Sequence, residues 1–263
     1  MWNKQAFLQL LLLNEMAKPP HERLEWIFWA DRDTIILDYC RSPASFIPEA
    51  FRSKNATSNT AQDRDIDLLI TNDHNGLMAG VFIIRVCEWS VNFLSDVLSF
   101  RNYKPDVHLA FSEQTAMELI LQQERNKKHV AYIPQQWINN YRADTAENFM
   151  NRQDANGMGY WVARRGDFIV HFAGSGNKKG DILEYSGVGE EVFDRIQAGN
   201  VLRNTQLIKS NPILRPASRG VALAHKGLMY APVLEMGFEA DAEDWLDAAD
   251  EVPRTARVAG GAA

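Results

Sequence analysis

The run Trp26-Ile27-Phe28-Trp29-Ala30-Asp31-Arg32-Asp33-Thr34-Ile35-Ile36-Leu37 decides how this chain is read. Two apolar stretches flank two aspartates at one-residue spacing. The first stretch reads as a buried strand, so the carboxylates sit where that strand leaves the core. On a strand, residues i and i+2 point to the same side; on a turn, the two can close around one cation. Either way the anions stand side by side, and their repulsion is costly unless something positive binds them. Hard divalent cations such as Mg²⁺ or Mn²⁺ take oxygen ligands of this kind and fill their shell from phosphate and water. The bland alternative is a strand-end turn in which Arg32 or another base neutralises the pair.

Outward from this run, strands and helices alternate, which predicts an α/β fold. Residues 4–16 read as a helix whose apolar side is Phe7, Leu8, Leu10, Leu11 and Leu12, stopped by Pro19-Pro20. A strand at 25–30 leads to the aspartates. Residues 41–65 are polar and mostly loop. Asp67–Thr71 and Leu77–Arg85 read as strands, and Ser90 to about Leu98 as a helix. A further helix begins near Ser112, with Ser112 as its cap and Met117, Leu119 and Ile120 in its apolar series. Val130–Ile133 and Phe168–Phe172 are short strands, the second carrying His171, and a helix follows at 189–197. Residues 1–236 read as one domain and 237–263 as an acidic tail. A nucleotide-binding α/β sheet needs several strand–helix units, yet one helix precedes the aspartate strand. The expectation is a small sheet or a missing amino-terminal portion.

Composition narrows the classes. Of 263 residues, 46% are hydrophobic and 24% charged, as in ordinary globular proteins. A net charge of −6 argues against a broad nucleic-acid footprint; Lys127-Lys128 and Lys178-Lys179 are local pairs, not a stripe. No apolar run reaches the ~18 residues of a membrane span, and no signal peptide is visible. Asn55-Ala56-Thr57 is a sequon in a polar loop. Cys40 and Cys87 allow at most one disulfide and fix no redox compartment.

Three further segments line up with the first. They are Asn75-Gly76-Leu77-Met78-Ala79-Gly80-Val81-Phe82-Ile83-Ile84-Arg85, then Glu113-Gln114-Thr115-Ala116, then Gly166-Asp167-Phe168-Ile169-Val170-His171-Phe172-Ala173-Gly174. Between the last two lie Ile133-Pro134-Gln135-Gln136-Trp137 and Asn139-Asn140-Tyr141. In this order and spacing the set resembles the galactosyl/mannosyl/xylosyltransferase family of fungi and plants, glycosyltransferase family 34, over roughly residues 1–197.

The resemblance implies a GT-A fold with a Rossmann-like mixed sheet, here without its first strands. It implies a nucleotide-sugar donor, GDP-mannose or UDP-galactose, a glycan acceptor, a divalent Mn²⁺ or Mg²⁺, and retention of anomeric configuration. It also implies the luminal side of the Golgi membrane, a membrane anchor in a full-length form, and complexes with other glycosyltransferase subunits. Carried over residue by residue, Asp33 is a metal ligand, and Asp31 holds ribose and metal-bound water. His171 closes the metal shell, as an imidazole at a strand end can; a satisfied core histidine is the alternative. Glu113 and Gln114 face the donor sugar, where they could stabilise developing positive charge; plain first-turn helix chemistry explains a glutamate there as well. Asn75, Gly76 and Gly80 let backbone approach the sugar, or simply form a turn. Asp167 and Gly174 flank His171 in the donor site, and Lys178 could hold the diphosphate. Trp26, Trp29, Trp89 and Trp161 read as core rather than sugar platforms. Met78 replaces an asparagine common in relatives, and Ser175 a cysteine. Two other readings compete: a non-catalytic member or complex subunit, and an unrelated metal-dependent phosphohydrolase, which would need more clustered acids than Glu49, Asp63 and Asp65.

Overall fold

A computed structural model describes residues 2–39, 41–48, 51, 66–197, 202 and 228–230. Helix α1 (Asn3–Met16) opens the chain. Its Leu8 and Leu12, one turn apart, are fully buried, and burying each such side chain is worth about 1.5–3 kcal/mol. Strand β1 (Trp26–Ala30) and the short β2 (Thr34–Ile36) flank the two aspartates. After a 3₁₀ turn at Pro43–Phe46, β3 (Leu68–Asp73) and β4 (Gly76–Arg85) form a tight hairpin. Gly76 takes φ +104° there, a conformation only glycine enters freely.

Helices α2 (Glu88–Tyr103), α3 (Glu113–Leu121) and α4 (Glu124–Lys127) lead to β5 (Val130–Tyr132). Then come α5 (Gln135–Ile138), β6 (Asn140–Tyr141), α6 (Ala146–Asn151) and β7 (Ile169–His171). Helices α7 (Lys178–Tyr185) and α8 (Val188–Gln197) follow, and β8 (Leu228–Tyr230) is the last described element.

The strands make two sheets. One has five strands in the order β5-β3-β4-β1-β8, and the other three in the order β2-β7-β6. Both are mixed: β4 is antiparallel to β1 and β3, while β5 and β8 run parallel to β3 and β1. In the smaller sheet β7 is antiparallel to β2 and parallel to β6. The fold is thus the mixed-sheet α/β class expected. β4 explains why its apolar run is continuous rather than alternating. Phe82 and Ile84 pack with α1, α2 and α3, whereas Val81 and Ile83 pack with Trp26, Phe28 and Phe168 on the opposite face.

Several expectations shift. Helix α2 continues past Leu98 to Tyr103 because Phe93, Val97 and Phe100 keep its buried stripe going; it ends before Pro105, whose ring disfavours helical backbone at Lys104. Ser112 precedes α3, but its side chain makes no capping hydrogen bond and its φ is 51°. Thr115 Oγ1 accepts instead from the N–H of Phe111, ahead of the helix, at 3.0 Å. Helix α7 was not expected. The sequon, Cys40, most of the 41–65 loop and the 237–263 tail lie outside the described residues.

Candidate functional site

The turn Asp31-Arg32-Asp33 joins the two sheets. The Asp31 N–H donates to Gly80 O at 2.8 Å and so continues the β1–β4 ladder. The Phe172 N–H donates to Asp33 O at 2.9 Å and continues the β2–β7 ladder. Thr34 Oγ1 closes the turn on Asp31 O at 2.7 Å. The carboxylates therefore share a site through a turn anchored at both ends, not through the alternation of one strand. The antiparallel register then pairs Thr34 with His171, which brings the imidazole beside Asp33. Asp31, Asp33 and His171 offer ligand atoms within 4.8 Å of one another.

Two cations hold the aspartates, and neither is Arg32. Lys4 Nζ donates to Asp31 Oδ1 at 3.0 Å and to Oδ2 at 3.2 Å. The Trp29 indole donates to the same Oδ1 at 2.6 Å. Lys178 Nζ donates to Asp33 Oδ2 at 2.5 Å. Burial of Asp33 works to raise its pKa, but the His171 ring beside it and the Lys178 ammonium outweigh it and hold the carboxyl well below the usual range.

His171 is buried, and its orientation is set from behind. Nδ1 lies 2.8 Å from Asn139 Oδ1, so Nδ1 carries a proton. Asn139 Nδ2 in turn donates to the Tyr141 hydroxyl at 3.2 Å, and that hydroxyl donates to Asp73 Oδ2 at 2.5 Å. Burial and the bond to Asp73 push the Tyr141 pKa up, so it stays a neutral donor. Nε2 then faces Asp33 Oδ1 at 3.4 Å. In the neutral ring these are two acceptors pointed at one another, which a proton or a cation between them must relieve. Two ligands each about 2.1 Å from one ion and at right angles stand roughly 3 Å apart. The donor set fits a divalent ion on this test: a carboxylate oxygen and a neutral imidazole with its other nitrogen fixed, the usual outer arrangement of a metal-binding histidine. Lys178 uses the other oxygen of Asp33 and does not block that position.

A cleft of about 160 Å³ opens beside these groups, lined by Lys4, Asp31, Asp33, Met78, Gly80, Phe111, Glu113, Gln114, His171, Ala173, Gly174 and Lys178. Of the expected site residues, Asp31, Asp33, Gly80, Glu113, Gln114, His171, Gly174 and Lys178 are therefore together. Gly80 has a specific reason to be glycine: a Cβ there would stand 2.4 Å from His171 Cε1. Gln114 Oε1 accepts from the Ala79 N–H at 3.1 Å, while Lys4 donates to the Ala79 carbonyl at 2.8 Å. The N–H and the carbonyl of Ala79, in the two peptide units that flank its Cα, are thus both held, next to Gly80.

Three expected residues are elsewhere. Asn75 and Gly76 form the β3–β4 turn, where the Asn75 N–H donates to Asp73 Oδ1 at 2.6 Å, and neither lines the cleft. Asp167 is wholly buried, and its Oδ2 accepts from the Arg164 N–H at 2.9 Å; its carboxylate shapes the loop before β7 instead of facing a substrate. Of the tryptophans, Trp26 is core beneath the Arg85 guanidinium at 4.0 Å. Trp89 stacks on Phe93 and His129, whereas Trp161 is 46% exposed and packs edge-on against Tyr160. Lys4, Asn139 and Phe111 were missed. A lysine amid a leucine-rich helix and a phenylalanine in a loop carry no motif; only the Asn139-Asn140-Tyr141 segment was noted.

The model of the galactosyl transferase GMA12/MNN10 family matches residues 2–181. The probable alpha-1,2-galactosyltransferase gmh1 of Schizosaccharomyces pombe is 27% identical over 185 residues, 62% of this chain and 51% of that protein. An alpha-1,2-galactosyltransferase of the same yeast is 25% identical over 199 residues, 66% of this chain and 46% of that protein. The chain spans about half the length of the curated relatives it matches. Two solved structures are distantly similar at 14% identity. One is a glycosyltransferase involved in glycosylation of the major capsid of PBCV-1, with a TM-score of 0.45 over 70% of this chain and 75% of that one. The other is an active-site mutant of LgtC, with a TM-score of 0.36 over 77% and 70%.

Proposed function

The chain belongs to the galactosyl transferase GMA12/MNN10 family, and from that premise we propose that it moves a hexose from a nucleotide sugar, GDP-mannose or UDP-galactose, to a glycan hydroxyl with retention of configuration. The observation that carries this reading is the 3.4 Å approach of His171 Nε2 to Asp33 Oδ1, with Nδ1 already committed to Asn139. Asp33 and His171 would hold Mn²⁺ or Mg²⁺, with Asp31 alongside. Bound there, the ion would supply Lewis-acid stabilisation of a diphosphate leaving group.

The chain's own residues do the rest. Lys178, half exposed at the start of α7, has a flexible stem and can swing between Asp33 and a phosphate oxygen. Gln114 is fixed by its bond to the Ala79 N–H, and Glu113 enters the cleft beside it. Together they would stabilise positive charge developing at the anomeric carbon. Gly80 admits the imidazole, and Gly174, at φ +74°, carries the chain away from His171 and keeps that side open. Front-face attack by the acceptor is favoured over a double displacement, in which Glu113 would be the nucleophile. The expected setting is the luminal side of the Golgi, in company with other subunits. No helix among the described residues is long and apolar enough to cross a membrane.

A second reading rests on Lys4 and Lys178. Two protein cations already neutralise the carboxylate pair, as they would in a non-catalytic member that serves as a subunit. Calorimetric titration with GDP-mannose and UDP-galactose, with and without Mn²⁺, separates the two. Metal-dependent binding of one donor, lost in Asp33→Ala, is the result expected of the enzyme. A folded chain that binds neither donor would favour the subunit.

A further inference from the structure

The cleft has an aromatic rim that the donor chemistry leaves unused. Phe111 is 50% exposed, one of several exposed aromatic side chains among the described residues, and it is the one Phe, Tyr or Trp that lines this cleft. Its backbone is held on both sides: the N–H donates to Thr115 Oγ1 at 3.0 Å, and the carbonyl accepts from the Gln114 N–H at 3.1 Å. Behind it, the buried Leu109 roots the segment, its carbonyl accepting from the Ser112 N–H at 3.3 Å. The next residue, Ser112, has a φ of 51° and is the only non-glycine with positive φ among the described residues. Such a conformation is unfavourable for a residue with a Cβ and persists only where the surroundings impose it. Its effect here is to turn the chain so that Phe111 and Glu113, on either side of the kink, both face the cleft.

We propose that Phe111 is a stacking platform for the pyranose ring of the acceptor, a subsite that deepens the transferase reading above and rests on it. A pyranose offers C–H groups on one face and hydroxyls around its edge. An aromatic ring beside a few fixed polar groups recognises that combination. The commitment to acceptor rather than donor follows from depth. Asp33 and His171, at 6% and 3% exposure, lie at the closed end where a diphosphate would be taken. Phe111 lies at the solvent end, where a second substrate arrives. Glu113 and Gln114 line the same cleft.

The test is saturation-transfer NMR on the full chain, irradiating aromatic protons and observing methyl α-D-mannopyranoside and methyl α-D-galactopyranoside. Neither probe requires turnover. At least one glycoside should receive saturation on its ring protons in the wild-type chain. Phe111→Ala should weaken its binding about tenfold, and Phe111→Tyr should keep it. Affinity for the nucleotide sugar, measured on the same variants, should stay within about twofold. Unchanged glycoside binding in Phe111→Ala would overturn the proposal, as would absence of binding to wild type. A tenfold loss of donor rather than glycoside affinity would overturn it too, by making Phe111 a donor contact. A chain that binds glycoside through Phe111 yet binds no donor would retain the subsite and lose the transferase reading, so the two can fail separately.

Discussion

Gly80→Ala is the sharpest test of how the site is built. The new Cβ would stand 2.4 Å from His171 Cε1 and 3.1 Å from Nε2. Ordinary carbon contacts begin near 3.5 Å, so the imidazole must retreat by about 1 Å. It has little room, because the ring is 3% exposed and its Nδ1 is tied to Asn139 at 2.8 Å. Either that bond breaks or Nε2 swings off Asp33 Oδ1. Crowding of this kind costs about 1–3 kcal/mol, and restricting the unfolded chain returns only about 0.4–1 kcal/mol. The net expectation is a modest loss of stability and a larger loss of function. Disturbing the orientation of a metal-binding histidine typically weakens the metal by about 10–100-fold. The assay pairs Mn²⁺ titration with ¹H–¹⁵N spectra of the histidine side chain, which report the Nδ1–H bond whether or not metal binds. Gly174→Ala is the control: its φ is +74°, but no atom lies within 4 Å of the added Cβ. It should lose stability through backbone strain of order 1 kcal/mol while leaving the His171 signals in place. Wild-type His171 signals and Mn²⁺ affinity in Gly80→Ala would refute the packing argument.

Asn139→Ala removes the acceptor behind His171, and about 10–100-fold weaker Mn²⁺ binding is expected; unchanged binding would mean the ring is oriented by packing alone. Lys4→Met keeps the stem but leaves Asp31 and the Ala79 carbonyl without their shared donor, a loss of about 1–3 kcal/mol. Urea unfolding checks it, and a change under about 0.5 kcal/mol would place Lys4 among ordinary surface charges. The pH dependence follows from Asp33, whose pKa is lowered in the folded state, the neighbouring His171 and Lys178 overcoming burial. Its stabilisation is present above the unfolded value of about 3.9 and is lost as pH falls through the lower folded value. Asp33→Asn should therefore flatten the unfolding midpoint against pH below about pH 4; an identical acid limb in both proteins would show that other groups carry it.

How much of this could be read in advance depended on the length and pattern of each segment. The long signals were clear: α1, β1, β3, β4, α3, β5 and β7 lie where they were expected, although Phe7 and Leu10 of the apolar side expected for α1 are exposed and Gln5 and Glu15 are buried beside Leu8 and Leu12. β2 and β6, of three and two residues, are too short to carry a period and exist because β7 pairs with both. Helix α7 starts from Gly174-Ser175-Gly176-Asn177, which reads as loop. Asn177 nevertheless caps it, Oδ1 accepting from the Gly180 N–H at 3.3 Å, and the Ser175 hydroxyl bonds Asp181 in its first turn.

The site divides along the same line. Asp31 and Asp33, and Glu113 and Gln114, are local pairs, whereas Gly80 and His171 stand alone in the sequence; the order of the segments that carry them was enough to bring them into one reading. Their supports are not local. Lys4 reaches Asp31 across 27 positions, and Asn139 reaches His171 across 32. Asn139 arrives only because Asn140 pairs with Val170 in a parallel β6–β7 ladder, a register no spacing announces. Asp167 shows the converse error. Its place four residues before His171 suggested a shared site, yet β7 intervenes, and Asp167 at its far end is spent on the Arg164 N–H. The order of segments along the chain located the groups that carry charge, while sheet register decided which of them could face one another. The single contact between His171 Nε2 and Asp33 Oδ1 needs both: a two-aspartate turn anchored on two sheets, and an asparagine just ahead of β6 to turn the ring.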